Sequence, residues 1–202
     1  MNTFKSFNHE WSRLRRAKKL YLLPIGSYEP HRGLPWDLDT RIAVKVAQIL
    51  SERLRAEVLP PLPYSLSFEW EGSISLRIET LASILRDINN SINGTLVVVN
   101  AHGGNSGALQ AIGRQEGFYV LDLYKACKID VGHAGQVECF VAKALGVIDG
   151  TCKKGDRWPE GLVARPRIEV GIYDNVELSF HCVQEKLSKC LNEVAEELRE
   201  LT

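Results

Sequence analysis

The sequence predicts an α/β fold in which helices cover both faces of a largely parallel sheet. Two observations carry this. Short apolar runs without polar alternation, residues 20–25 and 96–99 foremost, have the composition of strands buried on both sides. Between such runs, apolar residues recur at three- and four-residue steps, the spacing of amphipathic helices that pack on a sheet.

The elements follow in order. Residues 20–25 (Leu-Tyr-Leu-Leu-Pro-Ile) form a first strand closed by Gly26. Asp39 opens a helical pattern carried by Ile42, Val46, Ile49, Leu50 and Leu54. Residues 57–59 form a second strand that runs into the proline-rich turn at 60–63. Leu81, Ile84, Leu85 and Ile88 place a helix over 80–88. The β-branched run at 96–99 is a strand, and Gly103-Gly104-Asn105-Ser106 leads from it into a helix over 107–115. Residues 118–121 form a further buried strand. Residues 137–145 and 176–201 are helical, and 146–171, which lack periodicity, form irregular structure or short hairpins. No repeat, low-complexity tract or linker interrupts the chain, so residues 1–202 are expected to be one domain.

Composition excludes several classes of function. The chain is 45% hydrophobic and 25% charged, as in ordinary globular proteins. Its 25 Lys and Arg balance 25 Asp and Glu, leaving no global charge to attract nucleic acid or an anionic membrane. No apolar run approaches the roughly 20 residues of a spanning helix. Residues 1–19 are polar and basic, without the apolar stretch of a secretory signal, so a cytoplasmic location is expected. The five cysteines (Cys127, Cys139, Cys152, Cys182, Cys190) are odd in number and widely spaced. They are expected to be small buried hydrophobes rather than a disulfide framework, with Cys139, beside Glu138, the one placed to lie near a metal.

Three islands carry chemistry. The first is Gly26-Ser27-Tyr28-Glu29-Pro30-His31, continued by Asp39. The second is Asn100-Ala101-His102-Gly103-Gly104-Asn105. The third is Gly132-His133-Ala134-Gly135, followed by Glu138. Histidine and carboxylate groups are the donors that borderline and hard divalent cations take. Glu29 and His102 each follow the end of a predicted strand, where open α/β sheets build their sites. Glu29 and His31, two residues apart, project to one side of an extended segment. Asp39 at a helix start is placed to bridge two cations, and Gly103 and Gly104 leave room for close approach beside His102. The expected site is therefore a binuclear metal centre that activates water. Taken singly, Asp39 also suits a helix N-cap, the Gly-Gly turn a phosphate cradle and Glu138 a helix surface. The joint occurrence of the three islands favours metal. His9 and His181 belong to no island, and Asp37 is read as solvated.

These motifs resemble those of the creatininase family of metal-dependent amidohydrolases. Residues 23–31 with Asp39-Thr40-Arg41-Ile42-Ala43 are similar to its first motif and helix start. Residues 98–105 are similar to its Asn-Gly-His-Gly-Gly-Asn turn, and residues 133–138 to its His-Ala-Gly-x-x-Glu segment. The resemblance implies a three-layer α/β/α sandwich, often assembled as a homo-oligomer such as a hexamer. It implies two divalent ions (zinc, iron or manganese), one held by Glu29, Asp39 and His102, the other by His31, Asp39 and Glu138. His133 would be the proton donor or oxyanion partner. Arg32, Trp70, Gly103, Gly104 and Asn105 would face a small-molecule amide substrate.

Within the family, the Gly104 position and the short chain look more like the archaeal formamidopyrimidine-nucleotide deformylases than the creatinine hydrolases. The implied activity is hydrolysis of a non-peptide C–N amide bond, in a formamide or small cyclic amide. A family peptidase fits the same metals. For a phosphorylated substrate, Arg32, Lys153, Lys154, Arg157, Arg165 and Arg167 are the cations at hand. Arg32 stands where relatives carry glycine, and the first motif is one residue short before Asp39. The rival reading is a catalytically degenerate binding protein in which Arg32 pairs with Glu29 or Glu138 in place of a metal.

Overall fold

A computed structural model of the chain describes residues 19–158 and 168–201. His9, Arg165 and Arg167 lie outside the described residues. Four strands, β1 (Leu20–Ile25), β2 (Glu57–Val58), β3 (Thr95–Asn100) and β4 (Tyr119–Asp122), form one wholly parallel sheet in the order β2-β1-β3-β4. Its helices are α1 (Leu38–Leu54), α2 (Ile78–Ser91), α3 (Ser106–Glu116), the short α4 (Leu123–Ala126), α5 (Gln136–Ala144) and α6 (Phe180–Arg199).

The alternation of side chains along the strands divides the core in two. Leu20, Leu22, Val97 and Val99 pack with α1, α5 and α6 on one face. Leu23, Ile25, Leu96 and Val98 pack with α2 and α3 on the other. The result is a three-layer α/β/α sandwich. The central strands β1 and β3 are apolar on both faces because both faces are covered.

Three expectations are corrected. Residues 118–121 were expected to form a buried strand, yet Tyr119 is 50% exposed, because β4 is the edge of the sheet. Residues 146–155 are irregular, one of the two forms expected of 146–171, but the short strand there, β5 (Asp156–Arg157), pairs in parallel with β6 (Tyr173–Asp174) and makes no hairpin. The cysteines do pair. Cys127–Cys190 joins the end of α4 to α6, and Cys139–Cys152 joins α5 to the segment before β5. Sequence separations of 63 and 13 conceal contacts that only helix packing creates. Cys139 is therefore no thiolate ligand, and Cys182 is left as the free thiol. No described helix is long and apolar enough to cross a membrane.

Candidate metal centre

The three islands meet at the C-terminal ends of β1 and β3. Glu29 and His31 come from the loop after β1, Asp39 from the first turn of α1, and His102 from the turn after β3. His133 precedes α5, and Glu138 lies in its first turn. All six side chains are buried. Asp39 does not cap its helix; Asp37 occupies that position, without a side-chain cap bond, and pairs with Arg41 at 2.8 Å. Glu138 is likewise no surface carboxylate.

Each imidazole is wired in the same way. One ring nitrogen donates to a backbone carbonyl: His102 Nε2 to Leu66 O (2.8 Å), His31 Nδ1 to Glu29 O (3.1 Å) and His133 Nε2 to Pro30 O (2.9 Å). A carbonyl only accepts, so these bonds fix which nitrogen carries hydrogen and leave the other facing the carboxylates. His102 Nδ1 lies 2.9 Å from Asp39 Oδ2, and His31 Nε2 lies 3.6 Å from Asp39 Oδ1 and 3.8 Å from Glu138 Oε2. Glu29 Oε1 is 3.5 Å from His102 Nδ1, 3.4 Å from His133 Nδ1 and 3.9 Å from His31 Nε2.

Two sets of donor atoms each lie within 4.8 Å of one another, Glu29–Asp39–His102 and His31–Asp39–Glu138, sharing Asp39. A third set, Glu29–His31–His133, meets the same criterion. Within this cluster Glu29 Oε2, His31 Nε2 and Asp39 Oδ1 are buried with no hydrogen-bond partner among the described residues. Orphaned buried acceptors of this kind are costly unless something positive meets them. The donor set thus fits divalent cations.

Electrostatics point the same way. Burial alone would lower the pKa of His31, but Asp39, Glu138 and Glu29 outweigh it and raise the value to about 10. His102 is likewise raised to about 10 by Glu29 and Asp39 against its burial. Burial pushes Glu138 up to about 8 and also raises Glu29. Three clustered carboxylates demand positive charge, and in the metal-free protein protons on the imidazoles supply it. His133 differs: burial and the neighbouring His31 lower it to about 3, so it stays neutral.

The remaining predicted residues divide. Trp70 is 5% exposed and stacks on the His133 imidazole at 3.9 Å and 17°, and the His31 ring lies 4.6 Å from His133, tilted by 38°. Its ring face is taken by His133. Gly104 is exposed, but its Cβ direction is blocked: a Cβ there would lie 2.5 Å from His102 Nε2 and 2.6 Å from Leu66 O, so a side chain does not fit this backbone. Gly103 is exposed, and a Cβ there would meet nothing within 4 Å. Asn105 is fully buried; its Nδ2 donates to Asn100 Oδ1 (3.1 Å) and its Oδ1 accepts from Leu66 N (3.1 Å), so it braces the turn.

Arg32 is exposed and lines a cavity of about 360 Å³ with Lys154, Asp156, Glu169 and Tyr173. Among the described residues it forms no ion pair with Glu29 or Glu138, the contact that the metal-free binding protein requires.

Sequence reasoning missed two supporting residues and one hydroxyl. Ser27 Oγ donates to Asp39 Oδ2 at 2.7 Å, and its place inside the first motif was the available signal. Asp174 binds the start of α5 and had no signal, since it lies between the aperiodic 146–171 and the helix expected from 176, in no motif. The Tyr124 hydroxyl is buried without a partner, its pKa held well above the usual phenol value by burial and by Glu138 and Asp39.

An α/β/α sandwich with two overlapping His/carboxylate sets at the ends of its parallel strands defines a candidate metallohydrolase. The family model described as creatinine amidohydrolase matches residues 8–156, and the chain belongs to this creatininase family. It is 35% identical over 170 residues to the mycofactocin precursor peptide peptidase of Mycobacterium tuberculosis, a match covering 74% of this chain and 66% of that protein's length. It is 29% identical over 139 residues to the 2-amino-5-formylamino-6-ribosylaminopyrimidin-4(3H)-one 5'-monophosphate deformylase of Methanothermus fervidus, covering 63% of this chain and 56% of that one. The fold matches crystalline creatinine amidohydrolase with a TM-score of 0.66 at 20% identity, covering 98% of this chain and 95% of that one. A manganese form of creatininase matches with a TM-score of 0.65 over the same shares.

Proposed function

We propose that the chain is a binuclear metal-dependent amidohydrolase that cleaves a non-peptide C–N amide bond, in a formamide or small cyclic amide. The observation that carries this is the convergence of Glu29 Oε2, His31 Nε2 and Asp39 Oδ1, buried and unpartnered, between imidazoles whose other nitrogens are tied to carbonyls. Glu29, Asp39 and His102 would hold one ion; His31, Asp39 and Glu138 would hold the other, with Asp39 common to both sets. Two such ions, whether zinc, iron or manganese, supply Lewis acidity toward the amide carbonyl and toward water.

The protein's own groups do the rest. His133, neutral and with Nδ1 bare, is placed to accept a proton and pass it to the departing amine nitrogen. Trp70 stacks on its ring and His31 packs beside it. Gly104 excludes a side chain where creatinine hydrolases carry an acidic one, which argues against creatinine as substrate. A homo-oligomer is the expected assembly.

A second reading, hydrolysis of a peptide amide, draws on the 35% identity with the mycobacterial peptidase. One experiment separates them. Protein loaded with zinc, iron or manganese would be offered formamides, small cyclic amides and short peptides, with His133→Ala beside it. Turnover of the first two classes, lost by about 10²–10⁴-fold in His133→Ala with metal content unchanged, is the expected result. Turnover of peptides alone would move the assignment to the second reading, and loss of metal from His133→Ala would make it a ligand.

A further inference from the structure

The segment that carries His133 and Glu138 into the site has little regular structure of its own, since α5 begins only at Gln136. What fixes it comes from β6, much later in the chain and beyond the residues that match the family. Tyr173 exchanges both backbone hydrogen bonds with His133: the His133 N–H donates to Tyr173 O at 2.9 Å, and the Tyr173 N–H donates to His133 O at 2.7 Å. The next residue, Asp174, is 8% exposed. Its Oδ1 accepts from the Val137 N–H (3.2 Å), and its Oδ2 from the N–H groups of Gln136 (3.2 Å) and Gly155 (2.7 Å).

Gln136 and Val137 are the first residues of α5, where backbone N–H groups have no partner inside the helix. A carboxylate there satisfies them and meets the positive end of the helix dipole. Here the cap comes from a distant part of the chain. Gly135 holds the N-cap position without a side chain, and a Cβ on it would overlap both the Tyr173 carbonyl (2.2 Å) and Asp174 Oδ1 (2.4 Å). The glycine is therefore the opening through which the remote carboxylate enters.

Glu138 follows directly on the two N–H groups that Asp174 holds. Its Oε2 accepts from the Ala134 N–H at 2.6 Å, with Ala134 in the left-handed region at φ 54°, and faces His31 Nε2 at 3.8 Å. The start of α5 thus sets where the Glu138 carboxylate stands.

We infer that Asp174 is a positioning residue for the metal centre: by fixing the first turn of α5 it sets Glu138 against His31 and Asp39. The inference rests on the metal reading proposed above. It assigns Asp174 an effect on one ion only. The His31–Asp39–Glu138 set depends on the α5 start, whereas Glu29, Asp39 and His102 come from other elements.

The test is a zinc titration of metal-stripped protein against a chromophoric chelator, with thermal unfolding recorded alongside. The variants are Asp174→Asn, Gly135→Ala and Ser179→Ala. Asp174→Asn turns one acceptor oxygen into a donor. Gly135→Ala drives a methyl against both the Tyr173 carbonyl and the Asp174 carboxylate, so it disturbs the β6 contact as a whole. Ser179→Ala is the control, because its hydroxyl caps α6 through the Cys182 N–H, away from the site.

Wild type should bind two ions. Asp174→Asn and Gly135→Ala should hold one at wild-type affinity and the other about 10–100-fold more weakly. Ser179→Ala should melt earlier and hold both normally. Should Asp174→Asn fail to fold, Asp174→Ser, which keeps an oxygen acceptor for one of the N–H groups, carries the test. Wild-type affinity for both ions in the folded variants, or equal weakening of both, would overturn the inference. Failure of wild type to bind zinc would instead remove the metal reading, and the inference with it.

Discussion

Asp39 Oδ2 lies 2.9 Å from His102 Nδ1, while its other oxygen, Oδ1, is turned toward His31 and has no hydrogen-bond partner. One carboxylate thus serves two imidazoles that arrive from different loops, and Ser27 holds it in place. The predictions below follow from that sharing and from the packing around it.

If Asp39 bridges, Asp39→Ala should bind neither ion and lose hydrolysis, whereas Glu138→Ala should retain about one ion per chain. Elemental analysis of protein purified without chelators measures both. Two ions in Asp39→Ala would end the bridging assignment.

Metal binding should release protons. His31 and His102, raised to about 10 in the metal-free protein, are protonated at neutral pH, and an ion needs the same nitrogens. Raising the pH removes the competitor, so affinity should climb about tenfold per pH unit for each proton displaced and level off as pH passes about 10. Calorimetry in buffers of different ionisation enthalpy counts the protons. Heats independent of the buffer would contradict the charge state assigned to these imidazoles.

Gly103 and Gly104 should respond in opposite ways. Gly103→Ala enters open space and should change stability by less than about 0.5 kcal/mol. Gly104→Ala drives a methyl into His102 and the Leu66 carbonyl, which should cost about 1–3 kcal/mol and displace the imidazole. Thermal unfolding together with zinc content reads both effects. Equal behaviour of the two variants would show that the turn yields where the packing says it does not.

Alkylation should find one reactive thiol. With Cys127–Cys190 and Cys139–Cys152 paired, only Cys182 is free to react in unreduced, denatured protein, and all five cysteines should react after reduction. Mass mapping of the alkylated peptides decides it. Five labels without reductant would return the cysteines to the buried, unpaired state that their spacing predicts.

Much of the site was legible because its chemistry is local in sequence. Glu29 and His31 sit two residues apart after a strand, His102 is embedded in a glycine turn, and Glu138 follows His133 within a few residues. Burial patterns along 20–25 and 96–99 likewise named the central strands, since a strand covered on both faces must be apolar throughout. What sequence could not supply is distance between remote segments. That β4 is an edge depends on which strand lies beside it. Cys127, just after α4, meets Cys190 because α6 packs into the same side of the core. Nothing in residues 168–175 announces that Asp174 reaches the first turn of α5. Trp70, named beforehand as a substrate contact, lies against His133 because a loop folds over the ring. The sequence by itself determined the chemistry of the donor groups and the strand-to-helix turns that present them. The tertiary structure decided which donor groups stand within reach of one another and which residues hold them in place, because those relations are contacts across the chain and packing creates them.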